Sequence, residues 1–396
     1  MTDQPIAKSA ALECFWLSLR LGLTSFGGPV AHLGYFERAY VQKRQWLTAE
    51  NYAGLVGLCQ ALPGPASSQV NFLIGLQRAG FTGALLSFLG FTLPSAALMF
   101  AAVWWMNTAV PPEALLHGLK IAAAVIVAQA VWSMAPKLCP DWPRRILGAV
   151  VFMITLLFGG MFIQLAVLLL GALGGLFFCR HVSLPQGLHS AVVSPRAALR
   201  CLMVFLLLLV ALPVMVETLQ QDDALVTLVD TFYRAGALVF GGGHVVLPLL
   251  HATSGLGNDA FMAIYGVAQA LPGPLFAIAA GLGAAMLPSA PWLGGLLGIG
   301  FVFLPGFLVA IAGFYYWQTL AHAPRAAGAL AGVNAAVVGL LASAFVHPVF
   351  SSAFISPLDP AFILIALVLL QKYRLPPLLV VLVSIGYAFA MGALRA

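Results

Sequence analysis

Two stretches of the chain read Gln-Ala-Leu-Pro-Gly-Pro, at 60–65 and at 269–274. Proline lacks an N–H and clashes with the turn before it, so a helix entering the first copy stops near Leu62, ahead of Pro63. Gly64 lets the backbone take an unusual angle. Pro65 suits the first position of a new helix, where its missing N–H loses nothing. A helix opening there directs several unpaired amide hydrogens into the gap and carries about half a positive charge. That is anion-binding chemistry. Pro272, Gly273 and Pro274 repeat the arrangement. One such motif alone is more often a plain kink than a site; two matched copies, each preceded by glutamine, reverse that balance. Gln60 and Gln269 carry amide donors suited to an oxyanion or to the carbonyls that the break frees, and both roles stay open.

A second pair of breaks is Phe26-Gly27-Gly28 and Phe240-Gly241-Gly242-Gly243. Paired glycines expose an amide nest or let helices pack closely. Arg20 and Arg234 each stand six residues before the phenylalanine, inside apolar segments. A charge near the bilayer centre costs at least ~2.5 kcal/mol, so its repetition points to use. A guanidinium fork suits a tetrahedral oxyanion; snorkelling to the interface is the competing role. His244 and His32 follow the glycines at different offsets, as packed polar residues or as proton carriers. Ser67, Ser68, Gln69 and Asn71 make the helix after the first break polar, whereas Leu275, Phe276, Ala277 and Ile278 follow the second. The expected site is therefore asymmetric and lined mostly by the first copy. Lys120 opens another apolar helix and could add charge.

Acids in apolar segments are scarce. Glu13 and Asp230 lie near segment ends, and Glu50 and Asp259 fall at helix starts, where capping explains them. A cation pump would show buried carboxylates on its path, so the substrate expected is an anion. Cys14, Cys59, Cys139, Cys179 and Cys201 show no metal spacing, and no HExxH, GxSxG or paired-acid motif occurs. The expectation is a non-enzyme without metal or cofactor.

The elements that must position these residues are membrane helices. Of 396 residues, 62% are hydrophobic and 8% charged, against about 25% charged in a soluble domain. Apolar runs long enough for a bilayer number roughly ten to twelve. They do not alternate as barrel strands do, so they are helices. The net charge of +6 sits mostly between apolar runs, as topology signalling requires, and does not point to nucleic acid. The N-terminus lacks a signal-peptide pattern.

The order of motifs shows a duplication. "LRLGLTSFGG" at 19–28 meets "YRAGALVFGG" at 233–242, "CQALPGP" meets "AQALPGP", and "LPSA" at 93–96 meets "LPGF" at 304–307. The first repeat is placed at 1–180, a linker at 181–197 and the second repeat at 198–396, with 198–217 an extra helix. Arg78, Lys137, Arg144 and Arg145 bracket one helix pair, 81–106 and 114–135. In the second copy Arg325 lies at the central turn of the equivalent pair. The positive-inside rule then inverts one repeat against the other. The fold expected is all-α and polytopic, with two inverted-topology repeats and broken or re-entrant helices.

"SFGGPVAHLGYFERAYVQKRQWL", "QALPGP" and "VFGGGHVVLPLL" resemble the chromate ion transporter family in its long, two-domain form, over about residues 11 to 390. The resemblance implies a multi-pass protein of the bacterial inner membrane that exports chromate and confers chromate resistance. A sulfate carrier, a passive channel and an intramembrane enzyme are the alternatives. Protons as a coupled partner and pairing into a homodimer, after the short family members, are compatible with it. Outward movement of a dianion is favoured by an inside-negative potential, at about 2.3 kcal/mol per charge per 100 mV.

Overall fold

The computed structural model describes residues 4–109, 111–158, 160–179, 193–218, 223–240, 243–321, 323–373 and 375–394. All regular structure among them is helical. In chain order the helices are α1 (Gln4–Thr24), α2 (Gly28–Phe36), α3 (Ala49–Ala61), α4 (Ala66–Thr108), α5 (Glu113–Leu138), α6 (Trp142–Leu157), α7 (Met161–Phe178), α8 (Pro195–Thr218) and α9 (Ala224–Leu238). Then come α10 (Val246–Thr253), α11 (Asn258–Ala270), α12 (Ile278–Met286), α13 (Pro291–Ala321), α14 (Pro324–Ala344), the single turn α15 (Ser351–Ala353), α16 (Asp359–Tyr373) and α17 (Pro377–Ala393).

Local chemistry sets the ends. Thr48 caps α3 by accepting the Asn51 N–H, Asp141 caps α6 through Arg144, and Asp223 caps α9 through Leu225 and Val226. α4 bends at Ala79 and Gly80, whose φ of 64° breaks the helical run, so it comprises the two segments expected from the sequence. Among the described residues, five helices are long and apolar enough to cross a membrane: Ala66–Met106, Glu113–Leu138, Pro195–Thr218, Pro291–Trp317 and Pro324–Ala353. Shorter apolar helices occur at Ile163–Phe178, Leu275–Met286 and Pro377–Ala393. The protein is an all-α, multi-pass membrane protein.

Two compact units form. One takes Met1–Phe100, Ser183–Gly243 and Pro272–Ala323; the other takes Ala101–Val182, His244–Leu271 and Pro324–Ala396. In the first unit α13 packs against α3, α8, α9 and α12. Phe72 of α4 stacks on Phe307 of α13 at 4.3 Å, beside Phe88, Phe303 and Phe276. α8 buries only Ala198, Phe205 and Leu212, one residue every second turn, while most of its leucines and valines stay exposed. Such a face suits lipid.

In the second unit α14 lies against α6 and α7 through small residues. Gly332 meets Gly171 and Gly175, Gly328 meets Gly175, and Gly339 meets Gly148. Close approach of this kind drives helix association in lipid. α5 packs on α11, α16 and α17. Asp359, fully buried, accepts hydrogen bonds from the Tyr387 hydroxyl and from the amides of Ile355 and Ser356, with His117 Nε2 at 3.2 Å.

Some expectations change. α2 continues into a π-helical turn, Glu37–Lys43, that buries Tyr40 completely among charged neighbours. α10 was not anticipated. Of the expected linker 181–197, residues 181–192 lie outside the described residues, and α8 already begins at Pro195.

Candidate functional site

Both proline-glycine-proline motifs interrupt helices. α3 ends at Ala61 and α4 starts at Ala66; α11 ends at Ala270, and a 3₁₀ turn, Leu275–Ala277, leads into α12. Pro65 and Pro274 act as N-caps rather than first helical residues, because their carbonyls already accept from Gln69 N–H and Ala277 N–H. Gly64 and Gly273 have φ of 121° and 92°, angles open to glycine and strained for other residues.

The glycine amides make a crossed exchange. Gly64 N–H donates to Val239 O at 2.7 Å, and Gly273 N–H donates to Ser25 O at 2.9 Å. Val239 and Ser25 are the residues just before Phe240 and Phe26. Each proline-glycine-proline break is thus tied to the phenylalanine-glycine break of the other repeat. The close contacts match as well. A Cβ on Gly64 would meet Gly306 Cα at 2.7 Å, and one on Gly273 would meet Ser95 Oγ at 2.8 Å. Gly306 and Ser95 occupy the same place in "LPGF" and "LPSA". Gly243 approaches Leu275 and Pro29, which brings all four breaks together within the first unit. Gly27 and Gly28 both have positive φ and separate α1 from α2. Gly241 and Gly242 lie outside the described residues.

The polar lining belongs to the first repeat. The first intrahelical bond of α4 is Gln69 N–H to Pro65 O, so the amides of Ala66, Ser67 and Ser68 have no acceptor one turn back. His32 of α2 reaches this turn, with Nδ1 3.4 Å from Ser67 Oγ. Ser25 Oγ, His32 Nε2, Ser68 Oγ, Gln69 Oε1 and Thr92 Oγ1 are buried without a hydrogen-bond partner. Buried polar atoms without partners are rare and ask for a ligand or water. Asn71 is satisfied: it accepts from Tyr40 Oη at 2.6 Å and donates to Ser87 O. At the second break Leu275, Phe276 and Ala277 are buried and apolar.

Arg20 is on the exposed face of α1, and Gln60 is exposed. Arg234 makes an i,i+4 ion pair with the buried carboxylate of Asp230, a partner four residues away that the helical period signals. His244 and Gln269 belong to the second unit, where His244 Nδ1 lies 2.9 Å from Tyr265 Oη. Lys120 adds no free charge. Its ammonium, buried in that unit, donates to Asp259 Oδ1 at 2.5 Å, so Asp259 is an ion-pair partner and not a cap. His32, open from the sequence as a packed polar residue or a proton carrier, is the side chain of α2 that reaches the start of α4.

A sequence model of the family described as chromate transporter matches residues 12–176 and again 226–389. A probable chromate transport protein of Synechococcus elongatus is 27% identical, over 93% of this chain and 92% of its own. Chromate transport proteins of Pseudomonas aeruginosa and Cupriavidus metallidurans are 28% and 27% identical, over 83% and 90% of this chain and 79% and 86% of theirs. No solved structure matches. With most of its length matched, in two successive portions that each carry one set of breaks, the chain belongs to the chromate transporter family.

Proposed function

We propose that the protein exports chromate across the bacterial inner membrane by alternating access of two inverted repeats. The observation that carries the reading is the start of α4, where three amides have no intrahelical acceptor, His32 reaches Ser67, and His32 Nε2 and Ser68 Oγ are buried without partners. A helix N-terminus supplies partial positive charge, and a surrounding of low dielectric strengthens each donor. The anion sits among Gly27, Gly28, His32, Ser67 and Ser68, with Pro63–Pro65 and Pro272–Pro274 as the backbone frame and Phe26, Phe240 and Gly243 beside it. Arg20 and Arg234 move to the second rank, since one is exposed and the other is neutralised by Asp230.

The crossed hydrogen bonds support a duplicated frame, and the loop charges support inversion. Inverted repeats with broken helices at the site are a recurring basis for alternating access. Proton coupling and pairing of two chains are compatible with this frame. Radiolabelled chromate and sulfate flux in everted vesicles, with and without a proton gradient, tests the reading. Chromate accumulation that saturates and is abolished in Ser67→Ala/Ser68→Ala protein of normal abundance is the expected result. Sulfate flux without chromate flux would replace the substrate, and flux that never saturates would make the protein a channel.

A further inference from the structure

Gln69 sits one turn into α4 and folds its side chain back across the break. Its Nε2 donates to Pro63 O and to Gly306 O, both at 2.8 Å. A carboxamide has two N–H hydrogens and one carbonyl oxygen. Both hydrogens are engaged by backbone carbonyls, which only accept. Flipping the amide would set oxygen against oxygen twice, so its orientation is fixed by the backbone on either side. Oε1 is therefore a committed acceptor. It is fully buried and has no donor, an unfavourable state for a polar atom. The Ser25, Ser68 and Thr92 hydroxyls are buried and unpartnered too, so none of them donates to Oε1.

An anion site made only of donors would accept a fully deprotonated tetrahedral dianion. This break contains one acceptor that cannot be turned away. A dianion offers acceptors alone and repels it, whereas a monoprotonated ion offers one O–H. We propose that the species bound at this break is a monoprotonated oxyanion, which donates its hydroxyl to Gln69 Oε1. The inference rests on the transport reading above and names the substrate class more narrowly. It also supplies a basis for selectivity. Chromate takes up a proton near neutrality, while sulfate and selenate, of similar shape, stay fully ionised. Sites built to bond a ligand's O–H reject analogues that lack it by as much as ~10⁴-fold. Ile278 stands at the matching position of the second break, so that break has no acceptor at this place.

His32 from α2 and Tyr40 from the π-helical turn face this stretch of α4, α1 faces it with Ser18 and carries Cys14 one turn earlier, and α13 faces it with Gly306 and Phe307. The test is initial-rate transport of radiolabelled chromate by the full-length protein in proteoliposomes, with equal pH on both sides, from pH 6 to 9. The KM in total chromate should rise about tenfold per pH unit once the ion is mostly deprotonated, with kcat unchanged, because only the protonated fraction is competent. A hundredfold excess of selenate should not compete. In Gln69→Leu protein the pH slope of KM should flatten and selenate should become a competitor; if that variant does not fold, the wild-type profile and selenate competition decide alone. In His32→Gln protein the midpoint of the profile should stay in place, because the ligand titrates and not the imidazole. A KM independent of pH together with selenate competition, or a midpoint that shifts with His32, overturns the monoprotonated species and leaves the transport reading standing. No chromate flux at any pH overturns the transport reading itself.

Discussion

At the residue scale the breaks depend on backbone geometry. Gly64 and Gly273 combine positive φ with a neighbour inside the space of a Cβ. Gly64→Ala and Gly273→Ala should each lower stability by about 1–3 kcal/mol, read as a drop in Tm of the detergent-purified protein, while Gly255→Ala, at a positive φ with open space around it, should lower it less. The Asp230–Arg234 pair gives a second expectation. Arg234→Gln leaves a buried carboxylate without its cation and should destabilise by on the order of 3–5 kcal/mol. Asp230→Asn combined with Arg234→Gln should recover much of that, as a thermodynamic cycle will show. Flux in the recovered double variant would remove Arg234 from substrate recognition. The proline-glycine breaks were legible in the sequence because their cause is local. The polar run from Ser67 to Asn71 was legible too. The role of Gln69 was not, since it depends on Gly306, far along the chain.

At the element scale, packing of α14 on α6 and α7 rests on glycines whose Cβ positions are already filled by the facing backbone. Gly332→Leu should push α14 from α7 and destabilise by about 1–3 kcal/mol or more, detected as faster amide exchange in both helices. The same change at Gly386, with nothing within 4 Å of its Cβ position, should have little effect. Hydropathy revealed these helices as apolar runs but not which neighbours they choose. Selection lies in the shape of small-residue stripes, and a stripe is visible only when its partner is known. α10 and the turn at Glu37–Lys43 were hidden for another reason: one is too short for a window, and the other buries a tyrosine among charges.

At the scale of the whole molecule, neither repeat makes a compact unit alone. The first unit combines Met1–Phe100 with Pro272–Ala323, and the second combines Ala101–Val182 with Pro324–Ala396. The helices that lead into the two breaks are divided as well, α3 going to the first unit and its counterpart α11 to the second. Separately produced fragments 1–190 and 191–396 should therefore be degraded when alone and recovered together when co-expressed, as co-purification through a tag on one fragment would show. Stable accumulation of either fragment alone would contradict the shared units.

The crossed exchange between the breaks has a consequence for biogenesis. The amide of Gly64 needs the carbonyl of Val239, which emerges from the ribosome about 175 residues later, roughly 10–35 seconds at ordinary elongation speeds. Throughout that interval the first break is already made and its intended acceptor does not yet exist. The nascent first half therefore carries this amide without its final acceptor, so the half-synthesised chain, more than the finished transporter, is the form most exposed to membrane quality control.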